Sequence, residues 1–526
     1  MNENSTDNNA ISVDNSFAAQ HPTVDNEQCK KSTQNEFNSA KCATATNTTK
    51  KWSMTPTPLQ FSPWSRHRSS IAAGAFVVFT IIAISIGTLT VCFTSPKATV
   101  GSGPTSIAIG DFNNDTRLDI VVGNLRSDDS LAIGDLNNDA RQDIVVVNFY
   151  SDDVSVLLGY GNGSFANETR YSVGHGSLFV AIGDLNNDTR LDIVFVNFWS
   201  NDISVHLGCG DGSFANETRY PVGFGPTSVA LGDLNNDTRL DVVVTNRYSN
   251  DVSVLLGYGN SSFANETRYS VGYGPESVAI GDLNNDARQD IVVANSYSDD
   301  VSVLLGYGNG SFENETRYSV GAGPESVVIG DFNNDTRLDI IVANTYSNNV
   351  SVLLGYGNSS FANETRYSVG SRPYSVVIGD FDNDTRLDIV VANFDSDDVS
   401  ILSYDDIFFV KQMTLITGNG SRPQSLVISD FNNDGLIDIG VVNSLTTSLG
   451  VFLGYGNISF TNQVTHSTHP YLYPCAMAVG DFNNDTHIDI VFASCASENV
   501  GVVFGYGNGS FGNVIPYSTG HCRHDL

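Results

Sequence analysis

The chain has 526 residues and a formal net charge of −32, with 26 Lys and Arg set against 58 Asp and Glu. Such a balance excludes a nucleic-acid partner, which needs a basic surface to neutralise phosphates. The nine His are not clustered at ligand spacing, and no nucleophile motif, HExxH or P-loop occurs, so the sequence reads as a non-enzyme.

Residues 1–70 are poor in aliphatic side chains and rich in Asn, Thr and Ser, the composition of a disordered tail. Residues 71–93, from Ile71 to Phe93, form an uncharged apolar run of 23 residues, long enough to cross a bilayer as a single transmembrane helix. A cleaved signal peptide is the alternative, but 70 polar residues precede the run. Lys50, Lys51, Arg66 and Arg68 lie before it and Lys97 after it. Positive residues stay cytoplasmic, so the expected topology is type II and single-pass in the plasma membrane, with residues 1–70 inside. Residues 94–104 then make a short stalk, and residues 105–526 an extracellular domain.

That domain repeats one loop nine times, Gly/Ser-Asp-Phe/Leu-Asn/Asp-Asn-Asp-x-x-x-Asp. Oxygen side chains stand at loop positions 1, 3, 5 and 9. They are Asp111, Asn113, Asp115, Asp119; Asp135, Asn137, Asp139, Asp143; Asp184, Asn186, Asp188, Asp192; and Asp233, Asn235, Asp237, Asp241. The pattern continues with Asp282, Asn284, Asp286, Asp290; Asp331, Asn333, Asp335, Asp339; and Asp380, Asp382, Asp384, Asp388. It ends with Asp430, Asn432, Asp434, Asp438; and Asp481, Asn483, Asp485, Asp489. Alternating hard oxygens in a tight loop suit Ca²⁺, which takes six to eight oxygen ligands at roughly 2.3–2.6 Å. A carbonyl at position 7, such as that of Arg288, adds a further donor. The loops hold 28 of the 58 acidic residues, and nine Ca²⁺ ions would offset 18 of those charges. A polar hairpin without metal is the plainer alternative, because Asn and Asp favour turns. Three like charges in nine residues gain nothing in such a turn.

Position 12 is apolar, as in Val293, where an EF-hand needs a bidentate Glu. The flanks are strand-like, so the loop joins two antiparallel strands. Five successive intervals, from Asp135 to Asp380, are 49 residues each; the next two are 50 and 51, and the first is 24. A period of that length with four short strands suggests propeller blades. The expected strands of one unit are A, Ser277–Gly281; B, Asp290–Ala294; C, Val301–Leu305; and D, around Arg317–Val320. The fold expected is therefore an all-β propeller of about eight four-stranded blades, with seven still possible. The half-unit at Asp111 could complete a closing blade or sit outside the ring.

The loop and the segment Leu-Leu-Gly-Tyr-Gly-Asn-Gly-Ser-Phe at 304–312 recur in order over roughly residues 101–520, and they resemble the FG-GAP/VCBS repeat family of integrin α heads and secreted propellers. The resemblance implies a β-propeller with Ca²⁺ in the A–B loops. One departure stands out: the family usually has Gly at position 6, where this chain has Thr or Ala except at Gly435. A residue with Cβ there costs about 1 kcal/mol if the position needs positive φ.

Nineteen Asn-x-Ser/Thr sequons follow the apolar run. Six lie in the metal loops and eleven in or beside C–D turns, all on one face of a propeller; Asn349 and Asn419 lie on the other. On that other face the copies differ in their B–C pairs (Phe149-Tyr150, Phe198-Trp199, Arg247-Tyr248, Ser296-Tyr297, Thr345-Tyr346, Phe394-Asp395) and at the D–A residues His175, Phe224, Tyr273, Ala322 and Ser371. Exposed aromatics and Arg suit contact with a protein or glycan ligand. The expected function is a membrane-anchored, calcium-binding recognition or adhesion module; a carbohydrate-active enzyme or lectin is the alternative. Cys475 and Cys495 flank the ninth loop symmetrically and could pair across strands A and B, whereas Cys209 and Cys522 have no obvious partner.

Overall fold

The computed structural model describes residues 106–110, 119–123 and 131–519, the last range with short gaps at 150, 261, 406–407, 469–472 and 495–498. The expected tail, membrane span and stalk lie outside the described residues. Among the described residues no helix is long and apolar enough to cross a membrane.

Residues 131–518 form eight consecutive four-stranded antiparallel sheets, which settles the blade number at eight. Blade 4 is representative, with strands A to D at Pro275–Gly281, Asp290–Asn295, Asp300–Leu304 and Thr316–Ser319. Each boundary falls within two residues of the sequence expectation. Strand A gains two residues because it begins at a proline followed by a register shift between Pro275 and Ser277, a bulge that turns the strand at the sheet's end.

Strand B is buried along its whole length, as in Asp290–Asn295, because a neighbouring blade covers each face of the sheet. This is why it reads as an unbroken β-branched run rather than an alternating one. Strand D is the edge and is largely exposed. Its Tyr reaches the next blade and meets the Phe that ends the C–D turn, edge to face. The pairs Tyr171–Phe214, Tyr220–Phe263, Tyr269–Phe312 and Tyr318–Phe361 have ring centroids 5.1–5.4 Å apart. His466 takes the Tyr position against Phe511. Tyr517 against Phe165, at 5.2 Å, closes the ring from blade 8 to blade 1. Closure is reinforced by Ser155 Oγ donating to the Thr519 carbonyl at 2.7 Å and by a shared core containing Leu131, Ile144, Phe482 and Val491.

The half-unit neither completes a closing blade nor sits outside the ring. Its strands β1 (Ser106–Gly110) and β2 (Asp119–Gly123) extend the sheet of blade 1 on its inner edge. β2 pairs with β3 (Leu131–Gly134), strand A of blade 1, with Ile120 opposite Ile133 and Val122 opposite Leu131. β2 also lies against strand A of blade 2, and β1 against the A strands of blades 4 and 5. The hairpin therefore occupies the central shaft. An inner strand A presents unpaired backbone N–H and C=O groups, and β2 satisfies one such edge.

Phe482 is 2% exposed and sits at the seam between blades 8 and 1, 5.9 Å from the ring of Phe165. Phe482→Ala should destabilise the propeller by about 3–5 kcal/mol in urea unfolding. A loss below about 1 kcal/mol would show that this seam does not hold the ring closed.

Candidate metal loops and exposed faces

Each A–B loop is folded by its own acidic side chains. In blade 4, Asp282 Oδ1 accepts the N–H of Asp286 at 3.0 Å and Oδ2 that of Ala287 at 2.7 Å. Asn284 Oδ1 accepts the Asp286 N–H, and Asp286 Oδ1 the Arg288 N–H, both at 3.0 Å. The chain reverses through positive φ at positions 4 and 6, 58° at Asn285 and 63° at Ala287. Positions 1, 3 and 5 therefore converge. In blade 6, where position 3 is also a carboxylate, oxygens of Asp380, Asp382 and Asp384 lie within 4.8 Å of one another.

Position 9 is placed differently. Asp290 is fully buried; its Oδ2 accepts the N–H of Leu283 and its Oδ1 that of Gly306, at 3.0 and 2.8 Å. The carboxylate thus ties the A–B loop to the start of the C–D turn. Asp143, Asp192, Asp241, Asp339, Asp438 and Asp489 repeat both bonds. Burial, followed by repulsion from positions 5 and 1, pushes the carboxyls of Asp143, Asp241, Asp290, Asp339, Asp438 and Asp489 up to about 7, against the pull of the two N–H donors. Asp388 is also pushed up to about 7, mainly by burial, and Asp192 is raised well above the usual carboxylate range. Of the first loop only Asp119 lies among the described residues; Asp111, Asn113 and Asp115 do not.

The donor set is oxygen only and crowded with negative charge, which fits a hard divalent cation. One feature escaped the sequence reading. The Arg at position 7 turns back on the Asp at position 5, as in Arg141–Asp139 at 3.2 Å and Arg288–Asp286 at 3.4 Å. These exposed pairs are weak and only partly offset the loop charge. The signal was Asp-x-Arg spacing. Leu436 and His487 replace the Arg in blades 7 and 8.

Position 6 adopts the positive φ that the family's Gly would favour: Thr189 65°, Thr238 67°, Thr336 68°, Thr385 73° and Thr486 73°, against 84° at Gly435. These Cβ-bearing residues, with Ala140 and Ala287, store strain in every described loop but one.

On the opposite face, Trp199, Phe224, Tyr248, Tyr273, Tyr297 and Tyr346 are 50–63% exposed. Four of them, Trp199, Tyr248, Tyr297 and Tyr346, pack over a glycine. Gly176, at φ 70°, lies beneath Trp199, whose Cδ1 would be 1.9 Å from a Cβ added there. Phe198 joins Trp199 and Tyr248, at 4.9 and 5.6 Å between centroids, and Phe224 meets Tyr248 at 5.5 Å. Arg247 donates to the Tyr297 hydroxyl at 2.6 Å while pairing with the buried Glu276 at 2.8 Å. The result is one aromatic surface across blades 2–4. Tyr150 lies outside the described residues. A second ring, missed in the sequence, lies on the metal-loop face: Tyr160, Tyr258, Tyr307, Tyr356, Tyr455 and Tyr506 are 46–60% exposed at equivalent C–D turn positions. The Gly-Tyr-Gly repetition was its signal.

Cys475 is disulfide-bonded, and Cys495 and Cys522 lie outside the described residues. Cys209, for which the sequence offered no obvious partner, is also disulfide-bonded.

The profile of the FG-GAP-like repeat matches residues 135–195, 184–244, 233–293, 282–342, 331–391 and 430–492. The chain belongs to the FG-GAP repeat family. The gap between matches falls on blade 6, where a long hairpin, Asp398–Asp405 with Phe408–Ile416, replaces the Gly-rich C–D turn. No curated protein matches the chain. Among solved structures, a Lactobacillus plantarum protein is 17% identical, with 60% of this chain and 92% of that chain covered and a TM-score of 0.43. An Agrocybe aegerita lectin with specific recognition of non-reducing terminal N-acetylglucosamine is 16% identical, with 76% and 95% covered and a TM-score of 0.40. BBS1N in complex with ARL6DN is 12% identical, with 60% and 89% covered and a TM-score of 0.41. Likeness at this level assigns no ligand.

The strain at position 6 is directly testable. Gly435→Ala should destabilise by about 1 kcal/mol, since a Cβ there meets nothing within 4 Å and only the backbone conformation is penalised. Thr189→Gly, Thr238→Gly and Thr336→Gly should each stabilise by up to about 1 kcal/mol, less the extra freedom Gly gives the unfolded chain. Equal effects of the Ala and Gly changes in thermal melts would remove strain from the account.

Proposed function

We propose that this protein is a calcium-binding cell-surface propeller, anchored through Ile71–Phe93, that recognises an extracellular protein or glycan. The observation that carries the recognition reading is the continuous aromatic surface around Trp199 and Tyr248, held by glycine beneath and by Arg247 between blades. Rigid amphipathic rings at a solvent-facing site suit ligand contact with little ordering cost. Repetition around a ring suits multivalent ligands, because avidity multiplies weak contacts. In the loops, positions 1, 3 and 5 with the position-7 carbonyl would hold Ca²⁺, and the position-9 carboxylate would add a donor from below. The ion would supply the positive charge that these loops lack. Position-6 strain favours weak sites suited to millimolar extracellular calcium.

Calcium and pH test the metal reading together. In the metal-free protein the position-9 carboxyls sit near 7, above their unfolded value, so protonation favours the folded state. Stability should rise as pH falls from 8 to 5.5 and be lost as pH rises through 7. With calcium, which needs the carboxylate, the melting temperature should instead fall over the same acidification, and EGTA at pH 8 should lower it. An identical pH trend with and without calcium, or no response to EGTA, refutes these metal sites.

A cell-surface interaction screen and a glycan array with the purified ectodomain test recognition. Ala at Trp199, Tyr248, Tyr273 and Tyr346 together should weaken any ligand so found at least about tenfold. Full binding by that variant, with an unchanged melting temperature, would place recognition elsewhere.

A further inference from the structure

Six exposed tyrosines on the metal-loop face have no role in the account above. Each opens a five-residue turn, Tyr-Gly-Asn-x-Ser, closed by the Tyr N–H donating to the Ser carbonyl at 2.9–3.0 Å. Two residues after each Tyr stands the asparagine of a sequon: Asn162, Asn260, Asn309, Asn358, Asn457 or Asn508. Every one of these asparagines is exposed. Its Oδ1 is turned inward, accepting the N–H of the sequon Ser at 3.0–3.2 Å and its hydroxyl as well. That leaves Nδ2, the nitrogen that N-glycosylation modifies, on the solvent side. Only a glycine separates the Tyr from the Asn along the chain. The turn is already shaped, with φ of 65° at Gly161 and 80° at Gly163.

The exceptions carry the most information. In blade 2 the acceptor position is Asp211, which cannot be N-glycosylated, and the tyrosine position is Cys209. The turn itself is kept there: the Cys209 N–H donates to the Ser213 carbonyl at 2.8 Å, and Asp211 Oδ1 accepts the Ser213 N–H at 3.0 Å. Tyr and acceptor are absent together while the backbone is unchanged, so the turn does not need the ring. Blade 6 lacks the turn altogether.

We propose that this turn is a glycan platform: the phenol ring packs against the first sugar of an N-linked glycan on the asparagine two residues later. In the linkage Nδ2 bonds to the anomeric carbon of the sugar. The lipid diphosphate that carried the sugar leaves, and the amide proton passes to solvent. The apolar face of the sugar then covers a ring that would otherwise stand in water. The proposal rests on the extracellular reading.

The test uses the full chain expressed in a glycosylating eukaryotic cell. Glycopeptides are mapped, and melting temperatures are compared for wild type, Tyr→Ala at 160, 307 and 506, Asn→Gln at 162, 309 and 508, and the combined variant. We expect occupied turn sequons and a fall on the order of 2–4 °C from Tyr→Ala in the glycosylated protein. The same Tyr→Ala changes should have no effect in the Asn→Gln background, and Tyr→Phe should behave as wild type. An equal fall in both backgrounds, or none in either, overturns the platform. Glycans on other sequons with these six bare also overturn it. No glycan on any sequon refutes the extracellular reading and the platform with it.

Discussion

A buried carboxylate at loop position 9 joins the A–B loop to the C–D turn in seven of the eight blades. Its two oxygens take backbone N–H groups from two turns that are far apart in sequence, as Asp290 does with Leu283 and Gly306. Without it the A–B loop and the C–D turn would be independent hairpins. With it, the acidic loop and the Tyr-Gly-Asn turn have a fixed mutual position, repeated in six of the eight blades. The cost is a desolvated carboxyl beside two like charges, and an uncompensated buried charge is expensive. Two N–H donors reduce that cost, and a cation above the site would reduce it further. The same residue therefore connects backbone architecture to proposed metal chemistry.

The loops also join neighbouring blades. The position-4 asparagine reaches the C–D turn of the next blade: Asn484 Nδ2 would be 2.5 Å from a Cβ added at Gly161, and Asn433 Nδ2 2.7 Å from one at Gly507. Asn433 Nδ2 also lies 2.8 Å from His487 Nδ1, in the next blade's loop. An ordered loop is thus part of the contact between blades as well as a candidate metal site. Altering one loop should be felt in its neighbour, as expected of a repeat array whose stability resides in nearest-neighbour interfaces.

Much of this was legible in the sequence, because the repeat states it many times. Eight copies of a strand-loop-strand pattern at intervals of 49–51 residues placed four strands per blade to within two residues, and the Asp/Asn alternation located the convergent loop. Three things were not legible, each for a physical reason. The hairpin at Ser106–Gly123 has the same local sequence whether it joins the ring or fills the shaft; only the free inner edge of strand A, a tertiary feature, decides. The Arg–Asp pairs within the loops depend on how a long side chain folds back, which spacing allows but does not dictate. Position 9 looked equivalent to positions 1, 3 and 5, and burial alone separates it from them.

Blades 2 and 6 show how far a repeat can change and remain a blade. Blade 6 keeps Asp388 and its bond to the Phe381 N–H, yet loses the Gly-rich turn that supplies the second donor elsewhere. Ser403 and the backbone of Tyr404 lower the Asp388 carboxyl in place of that glycine, so the buried charge is still met. Blade 2 keeps the turn and loses only its tyrosine and acceptor asparagine. The carboxylate is thus present in all eight blades, while the turn's exposed Tyr and Asn are missing together in blade 2. Fold and surface separate at the level of single residues: the buried position-9 carboxylate recurs in all eight blades, whereas the exposed Tyr and Asn of the C–D turn recur in six.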